Sequence, residues 1–349
     1  MALSDVVYNE LQSLKDLPAR PDYHPEKWTW DHSAYVTHEL RQWTEDGSRE
    51  QLELLIVAAL HDIGKLPTFD RKSEENGGYI TSYGHAEKSA VYWNAISEAL
   101  TDGTDLRPGV IKWLIENHMD IKFSDRMNDR KLHEKKKEAQ ALGDRVWTMG
   151  QLFKEADDMP AFFDRHGLDY RENVHASDDH LEPLDRHEEA IEFFEGVVES
   201  IVNDIRIWED QGDGSKELII VRGVPGSGKS TFAESIAGPY GEVFEADDYF
   251  YEHGDSGYDF DPSKLGDAHE WCRNRVESAM RDRGVQRVIV SNTSTRVFEF
   301  IKYISLAARY GYRVHSIVHE NRQKTSSTKD IPESSIKKMV NRFEIRLNS

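Results

Sequence analysis

Glu217-Leu-Ile-Ile-Val-Arg-Gly-Val-Pro-Gly-Ser-Gly-Lys-Ser230 decides the fold of the second half of the chain. A short run rich in Leu, Ile and Val enters a glycine-rich turn, and such a run bounded by glycine reads as a buried strand. Helix-like spacing follows over Lys229–Ala237. Gly223–Ser230 fits G-x-x-x-x-G-K-[ST], and each position has a chemical reason. Gly223, Gly226 and Gly228 let successive backbone N–H groups turn inward around a phosphate. The helix that follows offers its positive N-terminus. Lys229 supplies a point charge to the outer phosphates and the Ser230 hydroxyl a ligand to Mg²⁺, with Ser227 and Thr231 completing the cradle. The stretch therefore predicts binding of ATP or another nucleoside triphosphate with Mg²⁺.

Working outward, Glu242–Ala246, Arg287–Ser291 and Tyr312–Val318 read as further strands, alternating with helices over Lys264–Arg283 and Arg296–Tyr310. Strand–helix alternation predicts a parallel α/β sheet. Asp247-Asp248 follows the second strand, where a carboxylate would stand across from the γ-phosphate and take a proton from an attacking hydroxyl. Cys272 and His269 read as packing residues. The first half reads as all-helical: Leu52–Leu60, Ala86–Leu100, Val110–Asn117, Arg130–Leu142, Met149–Met159 and Glu188–Trp208 carry helical spacing, and no alternating strand pattern stands out. The mixed-charge run Arg130–Lys137 reads as a solvated helix face.

The charge divides the same way. The chain has 349 residues and a formal charge of −20. Residues 1–215 hold 24 basic and 45 acidic side chains, whereas residues 216–349 hold 20 and 19, and residues 281–349 hold 14 and 6. The whole-chain acidity therefore does not exclude a phosphate-rich partner for the second half. The shift falls at a Gly-rich stretch, Gln211–Ser215, so domains of 1–210 and 211–349 are expected. One cysteine excludes a disulfide scaffold or a Cys-rich zinc module and favours a reducing, cytoplasmic setting. The longest apolar run, Leu54–Leu60, is too short to span a bilayer, and no membrane partner is expected.

Eleven of the 15 histidines precede Ser215. His61-Asp62 ends the apolar run of the first half, within His61-Asp-Ile-Gly-Lys65. Imidazole with carboxylate suits Mn, Fe, Co, Ni or Zn, and Asp62 has the oxygens to bridge two ions. His32, His85, His118 and Asp157 lie in supporting contexts. His24, His38, His133, His166, His175, His180 and His187 have none and read as surface residues.

The second half resembles the P-loop 5′-hydroxyl polynucleotide kinases. The likeness rests on Arg222–Thr231, Asp247-Asp-Tyr-Phe250, Gly257-Tyr-Asp-Phe260, Leu265–Trp271, Val288-Ile-Val-Ser-Asn-Thr293 and Gly311-Tyr-Arg-Val314, in that order. The resemblance implies that Asp247 is the general base, that Asp248 orients or caps, and that Arg322 is the nearest match to a lid arginine on the transferring phosphate. Three positions depart from the family pattern: Ser291 stands where Asp is usual, Phe250 where phage kinases carry an acceptor-phosphate arginine, and Asn321–Pro332 lacks the usual H-G pair.

The order His32, His61-Asp62, His85, His118, Asp157, with H-D-I-G-K intact, is similar to the HD superfamily of metal-dependent phosphohydrolases. The likeness covers roughly residues 25–165. It implies His32, His61, Asp62 and Asp157 as ligands of a first metal, His85 and His118 as completing a second, and Lys65 on the substrate phosphate. Asp157 is preferred over Asp158.

The whole resembles the bacterial HD–polynucleotide kinase end-healing enzymes: an N-terminal all-α HD domain and a C-terminal α/β P-loop kinase domain with a parallel sheet. That implies NTP- and Mg²⁺-dependent phosphorylation of 5′-OH ends. It also implies removal of 2′,3′-cyclic, 2′- or 3′-phosphates with two divalent transition ions (Mn²⁺, Ni²⁺, Co²⁺, Zn²⁺ or Fe²⁺). The expected partners are RNA or DNA ends, the nucleotide and a separate RNA ligase. The alternatives are an HD nucleotidase fused to a small-molecule P-loop kinase, or a nucleotide-dependent switch.

Overall fold

The computed structural model of the protein describes residues 1–19, 26–71, 80–165, 183–209, 212–254, 257–320 and 331–345. The chain separates into two compact units, Ser4–Ile207 and Trp208–Ser349, the second with Met1–Leu3.

The first unit is built on helices α1 (Leu3–Gln12), α2 (Thr29–Trp43), α3 (Arg49–Leu60), α4 (Lys65–Thr68), α5 (His85–Thr101), α6 (Pro108–Lys122), α7 (Asp129–Leu142), α8 (Val146–Arg165) and α9 (Pro183–Trp208). The expected all-helical character holds, with one addition: a two-residue hairpin pairs β1 (Asp70–Arg71) with β2 (Ile80–Thr81), too short to show an alternating pattern. Helix α3 organises the core. Ser48 caps it, its Oγ accepting from Gln51 N at 3.2 Å. Every residue from Glu53 to Leu60 is buried. A helix apolar nearly all round cannot face water, and α3 packs against α2, α5, α6 and α8. Its single buried carboxylate, Glu53, is held by Arg107 at 3.0 and 2.6 Å. Helices α1 and α2 carry no pattern strong enough to predict them. Helix α7 buries only Ala139, as a solvated face requires.

In the second unit β3 (Glu217–Arg222), α10 (Lys229–Ala237), β4 (Gly241–Phe244), α11 (Asp248–Glu252), α12 (Leu265–Arg281), β5 (Arg287–Asn292), α13 (Val297–Tyr310), β6 (Arg313–Val318) and α14 (Glu333–Asn341) alternate as expected. The sheet order is β4-β5-β3-β6, all parallel. The chain leaves β3, passes over β5 to the edge strand β4, and returns, so strand order reverses beside the end of β3. Ligand crevices form at such a switch point. Ile219, Val221 and Ile289 pack with Ala233 of α10 on one face. On α12 the core side is Ala268, Cys272, Val276, Ala279 and Met280. His269, expected to pack, is exposed instead, because it lies one residue off that stripe. Among the described residues no helix is long and apolar enough to cross a membrane.

Candidate active sites

Five helical elements bring one residue or two each to a single buried cluster in the first unit. His32 comes from α2, His61-Asp62 from the turn after α3, His85 from the first position of α5, His118 from α6 and Asp157 from α8. Two groups with metal-ligating spacing result: His32, His61 and Asp157, and Asp62, His85 and His118. Asp62 stands between them. Its Oδ2 lies 3.3 Å from His61 Nε2 and 4.0 Å from His32 Nε2, and its Oδ1 lies 3.3 Å from His85 Nε2. The turn that carries it is tight. Gly64 N donates to Ser89 Oγ at 2.9 Å, and that hydroxyl donates to His61 O at 2.5 Å. A Cβ at Gly64 would sit 2.0 Å from His85 O and 2.5 Å from Ser89 N, so only glycine fits this position of H-D-I-G-K.

The histidine tautomers follow from backbone contacts. His61 Nδ1 lies 2.9 Å from Ala58 O, His85 Nδ1 2.9 Å from Ser82 O and His118 Nδ1 2.8 Å from Ile115 O. A carbonyl only accepts, so each Nδ1 carries a proton, and the neutral rings of His85 and His118 each present an Nε2 lone pair to the cluster. His85 Nε2 and His118 Nε2 stand 2.9 Å apart as two such lone pairs. Burial lowers the pKa of both, and for His118 the neighbouring His85 lowers it further. His61 Nε2 is buried and lacks a partner in hydrogen-bonding geometry. Lone pairs converging in a buried site, with carboxylates beside them, fit divalent cations, and the N/O donor set suits Mn, Fe, Co, Ni or Zn.

His32 is held differently. Its Nδ1 lies 2.5 Å from Glu26 Oε1 and its Nε2 2.8 Å from Asp157 Oδ1. Burial acts to lower its pKa, but the two carboxylates outweigh it and raise the value to about 9. Burial opposes ionisation of Asp62 and Asp157 as well. His61 and Lys65 hold Asp62 well below the usual carboxylate range, and Lys122 and His32 do so for Asp157. Lys65 Nζ lies 2.5 Å from Asp62 Oδ2, and Lys122 Nζ 2.5 Å from Asp157 Oδ2. Asp158 is more exposed and meets Lys122 at 3.4 Å, outside both ligand groups.

Glu26 and Lys122 escaped sequence reasoning. Lys122 had a signal, since it follows His118 by one helical turn. Glu26 had none: it lies in a loop. His38, expected at the surface, is buried on α2 with Glu189 at 3.9 Å. His133 is exposed, and His187 accepts or donates through Nδ1 at 2.7 Å from Tyr35 Oη. His24, His166, His175 and His180 lie outside the described residues.

In the second unit the phosphate loop leaves the carboxyl end of β3. Its root is stitched on both sides: Gly223 N donates to Thr293 O at 3.2 Å and His319 N to Arg222 O at 2.7 Å. A Cβ on Gly223 would meet Ser227 Oγ at 2.6 Å and His319 O at 2.7 Å. Gly226 and Gly228 have φ of 80° and 88°, the left-handed region that favours glycine. Gly228 caps α10, whose first three residues are Lys229, Ser230 and Thr231. Arg222, just before the loop, points away from phosphate chemistry. It is buried between the Phe300 and Phe343 rings and donates to Ser294 O, Thr295 O and Glu344 O.

Asp247 reaches the same carboxyl edge from β4. Phe244 pairs with Val290 and Arg222 with Asn292, so both loops leave the sheet on one side. Ala246 N donates to Asn292 Oδ1 at 2.9 Å, which anchors the Asp247 turn on β5. Asp248 lies 3.4 Å from Arg275. Ser291 shares the parity of Ile289 and so faces α10. It is buried, with Oγ lacking a hydrogen-bond partner. The slot where Asp is usual thus holds a neutral hydroxyl. Phe250 does not stand in for an arginine at the surface; it is buried, with Phe260 at 5.0 Å. Arg322 lies outside the described residues.

Comparison with known proteins bears on each unit separately. Residues 29–147 match the HD domain family, and residues 218–345 match an AAA domain family. Human NEDD4-binding protein 2 is 38% identical over 99 residues, 28% of this chain and 5% of that protein, so the chain spans a small part of that relative's length. The chain is an HD domain fused to a P-loop kinase-like domain.

Proposed function

We propose that this protein heals nucleic-acid ends, RNA above all. The kinase-like domain phosphorylates 5′-OH ends, and the HD domain removes 2′,3′-cyclic, 2′- or 3′-phosphates. The observation that carries the reading is the pairing, in one chain, of a buried cluster fit for two metals with a P-loop that shares its sheet edge with Asp247. One centre is built to remove phosphate and the other to add it. Ribonuclease breaks leave both of the ends these centres would repair, and a separate ligase would consume the product.

In the HD domain His32, His61 and Asp157 would hold one ion, His85 and His118 the other, and Asp62 would reach both. When bound, such ions lower the pKa of a water and clamp phosphate oxygens. Lys65 stands at the edge of this cluster, where its ammonium can meet a substrate phosphate. In the kinase-like domain the loop amides and Lys229 hold the donor phosphates, Ser230 faces the Mg²⁺ position, and Asp247 takes the proton of the attacking 5′-hydroxyl. Specificity for polynucleotides is supported by the motif order from Arg222 to Val314 and by the basic balance of residues 281–349.

The test is an RNA bearing 5′-OH and 2′,3′-cyclic phosphate ends, incubated with ATP, Mg²⁺ and Mn²⁺, each end read separately. Both ends should be healed. Failure to phosphorylate any oligonucleotide would sink the polynucleotide reading. The acidity of residues 1–215 favours a second reading, an HD nucleotidase joined to a metabolite kinase. Kinase activity that is independent of acceptor length would support it.

A further inference from the structure

The Asp247 turn continues directly into a cluster of aromatic rings that the phosphate chemistry does not use. Asp247 itself has helical dihedrals, φ −65° and ψ −23°, and Phe250 N donates to its carbonyl at 3.1 Å. Tyr251, four residues on, therefore projects from the same side of this turn, about 6 Å further along the axis. Its ring is 56% exposed. It lies 4.9 Å from the Tyr258 ring, and Tyr258 is near-parallel to Phe260, at 10° and 6.4 Å. Phe260 is 47% exposed. Beneath them Phe250 is buried and meets Tyr258 at 6.1 Å and Phe260 at 5.0 Å. The exposed rings thus rest on a fixed aromatic base rather than on a loose loop.

Two exposed rings in one patch are costly to leave in water, and their place beside the general base says what covers them. A 5′-terminal nucleoside whose 5′-oxygen sits at Asp247 carries its base across one sugar, a reach comparable to the rise from Asp247 to Tyr251. Every nucleobase has a π-face, so stacking accepts any sequence. Position 250, the arginine position of phage kinases, is turned into the core here, so acceptor recognition falls to other side chains of this segment. We propose that Tyr251, with Phe260 flanking it, forms a stacking platform for the unpaired 5′-terminal base of a single-stranded polynucleotide acceptor. The proposal rests on the kinase reading above and deepens it: the acceptor is a free single-stranded end, not a metabolite hydroxyl.

The experiment compares Tyr251→Ala, Tyr251→Phe and Tyr240→Ala full-length proteins on two single-stranded acceptors, one with a normal 5′-terminal nucleoside and one abasic there. Tyr240, an exposed ring at the opposite end of β4, is the control. Tyr251→Ala should raise acceptor KM by about 5- to 140-fold, the range of one base–aromatic stack, with ATP KM unchanged. Tyr251→Phe should restore it, and Tyr240→Ala should match the unaltered protein. On the abasic acceptor the unaltered protein should already show the raised KM, and Tyr251→Ala should add nothing. Equal acceptor KM in Tyr251→Ala and the unaltered protein, with both acceptors phosphorylated alike, would overturn the platform and leave the kinase reading standing. No phosphorylation of any oligonucleotide by the unaltered protein would overturn both.

Discussion

The two domains solve the problem of handling phosphate by opposite means. In the kinase-like domain the candidate donor site is a continuous stretch, Gly223–Ser230, and its working groups are backbone amides set by left-handed glycines. In the HD domain the groups are six buried side chains from positions 32 to 157, and each is oriented by a partner of its own. A backbone cradle needs little from the rest of the fold beyond a strand behind it and a helix ahead. A side-chain cluster needs the whole helical core, because every ionisable group taken out of water must be paired or neutralised. The contrast predicts that the first site is sensitive to local changes and the second to distant ones.

The largest effects break the comparison into its halves. Asp247→Asn should lower the kinase kcat by about 10²- to 10⁴-fold, the contribution of a positioned base, while leaving 3′-end dephosphorylation unchanged. His61→Ala should do the reverse, removing dephosphorylation by at least about a hundredfold, since even residues behind metal ligands cost 10- to 100-fold. End-labelled RNA resolves both activities in one assay. If either variant abolished both activities, the two-site assignment would fall.

Lys122 tests whether partners of ligands matter as the side-chain cluster requires. Lys122→Met should weaken metal binding by about 10- to 100-fold, read by competition with a chelating dye, with NTP binding by the other domain intact. An unchanged metal isotherm would show that Asp157 orients itself without the Nζ contact.

Gly64→Ala probes the packing of the H-D-I-G turn. The added methyl meets backbone at His85, and overpacking of this kind costs about 1–3 kcal/mol. Thermal unfolding should show the HD transition lowered and the kinase-like domain unaffected. A variant with unaltered unfolding would mean that the close approach of the α5 start is not required.

A pH dependence tests the cluster without any substitution. Metal binding needs a neutral His32, but in the metal-free protein its pKa is about 9. A proton must therefore leave as metal enters, and affinity should rise about tenfold per pH unit up to about 9, then level off. His85 and His118, already neutral at pH 7 through burial, add no proton. Isotherms flat between pH 7 and 9 would contradict the His32–Glu26 account.

Both domains were legible in the sequence to different depths. Periodicity was enough for α3, α10 and the positions of the strands in the second half, because those segments are apolar runs that must be buried. Helix α2 was not, although it carries His32: its polar ligand-bearing residues face inward and blur the amphipathic stripe. The His-Asp pair marked His61 and Asp62, and the resemblance to the HD superfamily added His32, His85, His118 and Asp157, while Glu26 lies in a loop with no periodicity to read.

What the amino-acid sequence determined by itself is the set of chemical parts and their local conformation. The phosphate loop, the strand before it and the helix after it follow from contiguous residues. Tertiary structure decided which distant parts meet. Only packing brings Asp157 to His32 across 125 residues, turns the two oxygens of Asp62 toward separate histidine groups, puts Phe250 in the core and leaves Tyr251 outside. The physical reason is the range of the forces involved. Backbone sterics and hydrogen bonding act over a few residues, whereas the pairing of buried charge depends on neighbours that only the folded core supplies.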